Sequence, residues 1–261
     1  MRISWDKIGR GDRALVFIHG VWMSRSYFHR QRELNLSLND YTLYFIDLPS
    51  HGHSRTYPDG NTVGSYARDL EEFFRTEGLT RVLPVAWSMG ALVLWEYVKQ
   101  FGSDRLMGTV NISQPPTDFK YDDYSHAFFD LAALRQIMHA VQTDRDGFLT
   151  SFLPSMFKKA PAAADLKWMH EECCRVHPAV ASAILFDQAT VDYRESLERM
   201  TKPNLLCWGR DEGLISLEAG YHLRDHQPHS RLVVFEESGH CPFLEEAEAF
   251  NQVLADFAES L

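Results

Sequence analysis

The stretch RVLPVAWSMGALVLWEYV, residues 81–98, joins a short apolar run to a helical pattern through a single serine, Ser88. Ala86, Ser88 and Gly90 form a small-x-Ser-x-Gly pattern, a variant of the G-x-S-x-G nucleophile elbow with alanine in place of the first glycine. Small residues at these positions let a strand turn sharply into a helix and leave the serine hydroxyl exposed. The pattern therefore predicts a nucleophilic Ser88; the alternative is a serine that only caps the following helix.

Apolar runs rich in Val, Ile, Leu and Phe recur along the chain, each bounded by Gly, Pro or Asp. Such runs predict strands buried on both faces, as in a parallel sheet. Helical patterns such as residues 63–78 lie between them, so the chain is predicted to form an α/β fold with a mostly parallel central sheet flanked by helices. Pro84 conflicts with this prediction, because proline cannot donate to the ladder of a central strand. The predicted strands cover residues 14–19, 42–47, 82–87, 108–112, 204–208 and 231–235.

From residue 115 to residue 195 the strand pattern disappears, and the sequence becomes helical and rich in large apolar side chains. A structureless loop of this length is improbable in a compact protein. Residues 115–195 are therefore predicted to form a helical lid inserted in a core of residues 1–114 and 196–261. No repeat or Gly/Ser linker indicates a separate second domain.

The composition limits the classes of partner. The 261 residues carry a formal net charge of −10, which argues against nucleic acid because phosphate binding depends on clustered Lys and Arg. The first apolar run is too short for a signal peptide or a membrane span, so a cytoplasmic protein without a membrane partner is expected. The four cysteines lack the C-x-x-C spacing of a zinc or redox site, and reduced thiols are expected.

A serine hydroxyl is inert until a base removes its proton, so a histidine oriented by a carboxylate is required elsewhere. His240 follows the last predicted strand, where a loop can deliver its imidazole to the strand ends. Asp211 follows the preceding strand at the same end of the sheet, while Glu212 and Asp192 are competing carboxylates. The chain order serine, acid, histidine differs from the orders of the chymotrypsin and subtilisin triads.

Five segments resemble the α/β-hydrolase superfamily in order and spacing over nearly the whole chain: FIHG, DLPSHGHS, AWSMGALVLWEYV, CWGRDEGLIS and ESGHCPFLEEAEAFNQVLADF. The lid, with DRDGFLTSFLPSMF, looks most like the cofactor-free haloperoxidase, perhydrolase and arylesterase branch. By resemblance to the family's G-x-x-D pattern, GRDE assigns the acidic role to Asp211 and makes Glu212 a solvated neighbour.

The oxyanion formed during acyl transfer needs two hydrogen-bond donors. The backbone N–H of Met89, directly after the serine, is the first, and the resemblance implies Val21 as the second. His19 is expected to hold the Val21 loop by hydrogen bonding. An H-x-H metal site at His51 and His53 is disfavoured, because no carboxylate or thiolate of suitable spacing stands nearby; no metal or cofactor is expected.

Together the triad and the resemblance imply a serine hydrolase that cleaves a small carboxylic ester or lactone with an apolar acyl or aromatic part. A serine at position 88 argues against the haloalkane dehalogenases and epoxide hydrolases of this fold, which use a carboxylate nucleophile. A perhydrolase, a C–C bond hydrolase, a triad-retaining ligand receptor and a catalytically dead relative remain alternatives.

The residues expected to line the substrate pocket are Trp22, Trp87, Phe128, Phe148, Phe152 and Trp168, although buried aromatic residues are often only core.

Overall fold

A computed structural model describes all 261 residues. Its strands are β1 (Ser4–Gly9), β2 (Arg13–Ile18), β3 (Tyr41–Asp47), β4 (Val82–Trp87), β5 (Thr109–Ile112), β6 (Asn204–Gly209) and β7 (Ser230–Phe235). They form one sheet in the order β1-β3-β2-β4-β5-β6-β7. Every neighbouring pair is parallel except β1 with β3. The six strands expected from the apolar runs are all present, and the predicted α/β fold is confirmed.

The antiparallel edge strand β1 was not predicted. Its sequence, SWDKIG, contains no continuous apolar run, and its side chains are only partly buried. Trp5 nevertheless anchors the strand, because its ring packs edge-on against Phe73 with centroids 5.6 Å apart. A strand at the sheet edge needs few apolar residues, so the buried-run pattern does not detect it.

Pro84 lies in the central strand β4, where the pairing on the β5 side is irregular. Val82 pairs with Leu106 in an isolated bridge, whereas Val85 pairs with Val110 within the ladder. One extra residue therefore lies on the β5 side between these two pairs. Proline is tolerated at such bulges because the ladder is already interrupted there.

Helices cover the sheet and supply the predicted insertion. Helices α1 and α2 pack against each other, α7 packs on β6 and β7, and α3–α6 lie between β5 and β6 in the chain. The helical insertion is thus confirmed, while the lid boundaries at 115 and 195 stay a prediction. The helices are α1 (Val63–Thr76), α2 (Met89–Phe101), α3 (Leu131–Thr143), α4 (Arg145–Ser155), α5 (Ala163–Cys174), α6 (Pro178–Thr190), α7 (Leu217–His226), α8 (Pro242–Glu245) and α9 (Ala247–Glu259).

A single apolar core of 74 buried side chains joins the sheet, its covering helices and the inserted helices. Helix α1 illustrates how the sequence builds it: Thr62 caps the helix by accepting a hydrogen bond from the Ser65 N–H, and the predicted apolar face, including Tyr66 and Leu70, is fully buried. None of the helices combines the length and apolar character that crossing a membrane requires. All four cysteines are unpaired.

Candidate active site

Ser88 occupies the turn between β4 and α2 in a strained backbone conformation, with φ 52° and ψ −127°. Holding a residue other than glycine in such a region costs roughly 1–3 kcal/mol, and such strain clusters at functional sites. The Ser88 side chain makes no capping hydrogen bond to α2. The geometry therefore does not support a serine that only caps the helix.

Gly90 explains why the pattern requires a small residue after the serine. A Cβ atom at Gly90 would lie 2.5 Å from the carbonyl oxygen of Ile18 and 3.0 Å from that of His19. The first turn of α2 therefore packs directly on the backbone at the end of β2. Ala86, which stands where many elbows have glycine, is buried within β4.

His240, in the loop after β7, pairs with Glu212 in the loop after β6. The Nδ1 atom of His240 lies 2.8 Å from Oε2 of Glu212, and the two side chains are 4% and 0% exposed. The N–H groups of Leu214 and Ile215 donate to the other carboxylate oxygen at 2.9 and 3.3 Å. Because a carboxylate only accepts hydrogen bonds, Nδ1 carries the proton and Nε2 is free to accept another.

The prediction that Asp211 orients the imidazole is wrong, as is the prediction that Glu212 is a solvated neighbour. The Asp211 carboxylate is 50% exposed and lies 2.8 Å from Nζ of Lys158. Counted from Gly209, the fourth position of the G-x-x-D pattern is residue 212, so the spacing agrees with the pairing of Glu212 with the imidazole. Asp192, the third candidate, pairs instead with Arg194 at 2.8 Å.

The loop that carries His240 is fixed by the lid and by Trp87. The His240 N–H donates to the carbonyl oxygen of Met156 at 2.7 Å, and the indole N–H of Trp87 donates to the His240 carbonyl oxygen at 3.1 Å. At Gly239 a Cβ atom would lie 2.9 Å from the Met156 oxygen. The lid and the imidazole loop are therefore in direct backbone contact.

The predicted oxyanion donors lie at the ends of β2 and β4. The Val21 N–H donates to no other backbone group. His19 holds the Val21 loop as expected: its Nδ1 donates to the Gly20 oxygen at 2.8 Å, and its Nε2 accepts from the Leu48 N–H at 3.0 Å. Burial lowers the pKa of His19 to about 4, so the ring stays neutral and keeps this accepting role.

Ser88 and His240 line one mainly apolar cavity together with the inserted helices. Within it the rings of Phe148 and Phe152 stack 5.4 Å apart, and both meet Trp22 edge-on. Five of the six aromatic residues expected in the pocket line this cavity: Trp22, Trp87, Phe128, Phe148 and Phe152.

Trp168 is the exception, and its prediction as a pocket residue is wrong. Its ring packs edge-on against Tyr27 and His29, with centroids 5.0 and 5.7 Å away. It lines a separate surface groove instead of the cavity. The sequence identified it as a large apolar residue of the helical segment, but not the groove that it lines.

Three buried polar side chains of the cavity were missed by the sequence analysis: Gln114, Asp118 and Gln188. Gln114 Nε2 donates to Asp118 at 2.7 Å, and Gln188 Nε2 donates to the other carboxylate oxygen at 2.8 Å. Burial raises the pKa of Asp118 to about 6, against the opposing effect of these two hydrogen bonds. Gln114 follows β5 at the carboxyl edge of the sheet, a position that could have drawn attention to it.

The H-x-H motif belongs to the loop after β3. The His51 ring is buried, its Nδ1 donates to the Pro49 oxygen at 2.9 Å, and burial lowers its pKa to about 3. No group of three or more His, Cys, Asp or Glu side chains in the structure has an arrangement that could hold a metal ion.

Comparison with known proteins agrees with the fold. Residues 15–253 match the alpha/beta hydrolase family. A pimeloyl-[acyl-carrier protein] methyl ester esterase from Vibrio atlanticus is 27% identical over 263 residues, which cover 98% of this chain and 97% of that protein. The corresponding protein from Yersinia enterocolitica is 25% identical and covers 99% of this chain and 98% of its own.

Solved structures add a close likeness in fold. An esterase from Exiguobacterium antarcticum and a bromoperoxidase from Bacillus anthracis both align with a TM-score of 0.93, at 23% and 22% identity, over 98% of this chain and 95% of theirs. The family match spans most of the chain, and the sheet order and the strained elbow at Ser88 accord with it. The chain therefore belongs to the α/β hydrolase family.

Proposed function

We propose that the protein is a serine hydrolase that cleaves a carboxylic ester through an acyl-enzyme, with Ser88 as nucleophile, His240 as base and Glu212 as the acidic member of the triad. The observation that carries this proposal is the buried hydrogen bond between His240 Nδ1 and Glu212 in the cavity that Ser88 lines. It leaves Nε2 of the imidazole available to the serine hydroxyl, as the triad chemistry requires.

Each step then has a group to perform it. The Ser88 oxygen attacks the ester carbonyl while His240 Nε2 takes its proton, and Glu212 stabilises the imidazolium that results. The Met89 and Val21 N–H groups donate to the oxyanion, and loss of one such donor typically costs about 2.7–4 kcal/mol of transition-state stabilisation. His240 returns the proton to the leaving alcohol, and water then cleaves the acyl-enzyme by the same route.

The cavity lining favours an ester with an apolar part, since most of the residues around Ser88 are aromatic or aliphatic. The relatives named as methyl ester esterases support an ester with a small leaving alcohol. A lactone is the cyclic form of the same bond and stays within the proposal, as does the expectation of a cytoplasmic, small-molecule enzyme.

A perhydrolase is the second candidate, favoured by the likeness in fold to the bromoperoxidase. Peroxide would then replace water in attack on the acyl-enzyme. Products formed from acetate and peroxide separate this candidate from ester hydrolysis. A C–C bond hydrolase would act on a vinylogous diketone, and a receptor would give a single slow burst in place of repeated turnover.

Replacing the nucleophile tests the proposal. Ser88→Ala is expected to lower kcat for methyl and p-nitrophenyl esters by about 10⁴-fold or more, because no other group supplies the attacking oxygen. Its thermal unfolding midpoint should stay close to that of the wild type. Ser151→Ala, at an exposed position on α4, is the matched control and should retain wild-type turnover. Comparable ester turnover by folded Ser88→Ala would refute the assignment.

A further inference from the structure

The apolar cavity has one polar region, here called the polar corner, formed by Gln114, Asp118 and Gln188. The three residues are 0%, 2% and 4% exposed. Gln114 and Asp118 follow β5, whereas Gln188 lies on α6 of the inserted helices. The polar corner therefore joins the sheet edge to the lid on the wall of the cavity that contains Ser88.

Most hydrogen-bond donors in the polar corner point to partners within the protein, while two acceptors remain free. The Gln114 amide nitrogen donates to Asp118 and to the Pro115 oxygen, and the Gln188 amide nitrogen donates to Asp118. The amide oxygens of Gln114 and Gln188 are buried and accept no hydrogen bond. A buried acceptor without a donor is costly, so an unfilled pair on one cavity wall indicates a missing partner.

No lysine or arginine compensates the charge of the polar corner. Asp118 forms no salt bridge with a lysine or arginine, and the cavity lining contains no lysine or arginine at all. His240 is the only other ionisable group in the lining, and its Nδ1 is committed to Glu212. A buried carboxylate is stabilised best by a cation that also donates hydrogen bonds.

We infer that the polar corner is a recognition subsite for a primary ammonium group carried by the substrate. An ammonium group has three N–H donors, which match the Asp118 carboxylate and the two free amide oxygens. A hydroxyl group offers one donor and leaves the charge uncompensated, and a carboxylate would be repelled. This inference rests on the proposed ester hydrolysis, because it states which esters the Ser88 site prefers.

The test compares methyl esters of ω-amino acids with methyl alkanoates in which a methyl group replaces the ammonium group, and with the ω-hydroxy esters, over a series of chain lengths. The measurement is the ratio of kcat/KM within each matched set, at a pH above the Asp118 pKa of about 6. For at least one chain length, kcat/KM of the wild type is expected to be about tenfold or more higher for the ammonium ester than for the other two esters. Hydrogen bonds between charged groups are stronger than those between neutral groups, which is the reason for this preference. An equal or greater preference for the hydroxyl or methyl ester would overturn the inference.

Two variants separate recognition from a merely structural role. Asp118→Asn is expected to abolish the preference for the ammonium ester, whereas Asp122→Asn, at an exposed position nearby, should keep the wild-type ratio. Gln188→Leu removes one acceptor from the lid side and should also lower the ratio, which provides a second test if Asp118→Asn fails to fold. An unchanged ratio in folded variants would contradict the inference.

A binding measurement keeps this inference separable from the proposed function. Straight-chain alkylammonium ions should raise the thermal unfolding midpoint of the wild type more than alkanols of equal length do, and Asp118→Asn should lose this difference. If no ester is hydrolysed but the ammonium ions still stabilise the protein, the subsite stands and the hydrolase assignment fails. If esters are hydrolysed and ammonium ions stabilise no more than alkanols, the subsite is refuted.

Discussion

Glu212 and Asp211 are adjacent residues of equal charge in opposite surroundings. The Glu212 side chain is fully buried, and its carboxylate accepts hydrogen bonds from the imidazole and from two backbone N–H groups. Asp211 is half exposed and forms an ion pair with Lys158. Three directed donors hold the Glu212 carboxylate in one orientation, so this side chain can fix the imidazole while Asp211 only links the sheet edge to the lid.

Exchanging each carboxylate for its amide distinguishes the two residues. Glu212→Gln is expected to lower kcat by about 10⁴-fold, because an amide in place of the carboxylate favours the wrong imidazole tautomer and cannot stabilise the imidazolium. Asp211→Asn should change kcat by only a small factor. Steady-state kinetics of both variants on one ester measures the two changes in kcat. A larger loss of kcat in Asp211→Asn than in Glu212→Gln would reverse the assignment.

Asp118 predicts a specific dependence of stability on pH. Its pKa is raised by burial from an ordinary 3.8 to about 6, so the folded state binds this proton more tightly than the unfolded state does. The stability it contributes is full below the ordinary pKa and is lost as pH rises through about 6. The shift corresponds to a loss of about 3 kcal/mol in the free energy of unfolding.

Asp118→Asn does not titrate and should lack that loss. Relative to the wild type, its free energy of unfolding is expected to gain about 3 kcal/mol between about pH 3 and about pH 8. Urea unfolding at several pH values measures the difference, with Asp122→Asn as the exposed control that should follow the wild type. Parallel curves for the wild type and Asp118→Asn would show that burial does not perturb Asp118.

At the scale of elements, the elbow depends on how closely α2 approaches β2. A Cβ atom at Gly90 would lie 2.5 Å from the Ile18 carbonyl oxygen, which belongs to the backbone and cannot rotate away. Gly90→Ala is therefore expected to destabilise the protein by about 1–3 kcal/mol and to displace Ser88 enough to lower kcat.

Gly64 in α1 provides the matched control for this substitution. A Cβ atom there would come no closer than 3.7 Å to a flexible side chain, that of Gln100. Gly64→Ala should leave kcat unchanged and stabilise the protein by up to about 1 kcal/mol, since alanine favours a helix. Denaturant unfolding gives the free energy of unfolding of both variants. Equal values for Gly90→Ala and Gly64→Ala would mean that the elbow tolerates a side chain at position 90.

The elements also show what a sequence pattern can and cannot predict. Strands β2–β7 were predictable because each contains a nearly continuous apolar run, although β7, at the sheet edge, is mostly only partly buried. The elbow was predictable because small residues are needed there to avoid local clashes. Strand β1 and the bulge at Pro84 depend on pairing with distant residues, which no local pattern records. The same holds for Trp168, because an apolar residue in a helical segment is expected to pack on the protein without an indication of which cavity or groove it lines.

The choice between Asp211 and Glu212 depends partly on contacts with distant residues and partly on the spacing of a motif. Both follow β6 at the carboxyl edge of the sheet, so the sequence correctly places an acid near His240. Which of the two turns inward depends on the N–H groups of Leu214 and Ile215 and on Lys158 of the lid. The spacing of the G-x-x-D pattern was also misread: counted from Gly209, its fourth position is residue 212, which is a glutamate in this chain.

At the scale of the whole molecule, the parallel sheet brings distant parts of the chain to one edge. Ser88 follows β4, Glu212 follows β6 and His240 follows β7, so each group lies at the carboxyl end of its strand. Ligand sites of open α/β sheets form at this edge for that reason. The inserted helices then close the site with apolar side chains and hold the His240 loop through the Met156 carbonyl oxygen.

The central claim is that this assembly makes the Ser88 hydroxyl reactive, and covalent labelling by a fluorophosphonate tests it most directly. Intact mass and peptide mapping of the wild type should show one adduct per chain, located on Ser88, while Ser88→Ala takes up none and Glu212→Gln reacts far more slowly than Asp211→Asn. A folded wild type that stays unlabelled, or an adduct that persists in Ser88→Ala, would contradict the account.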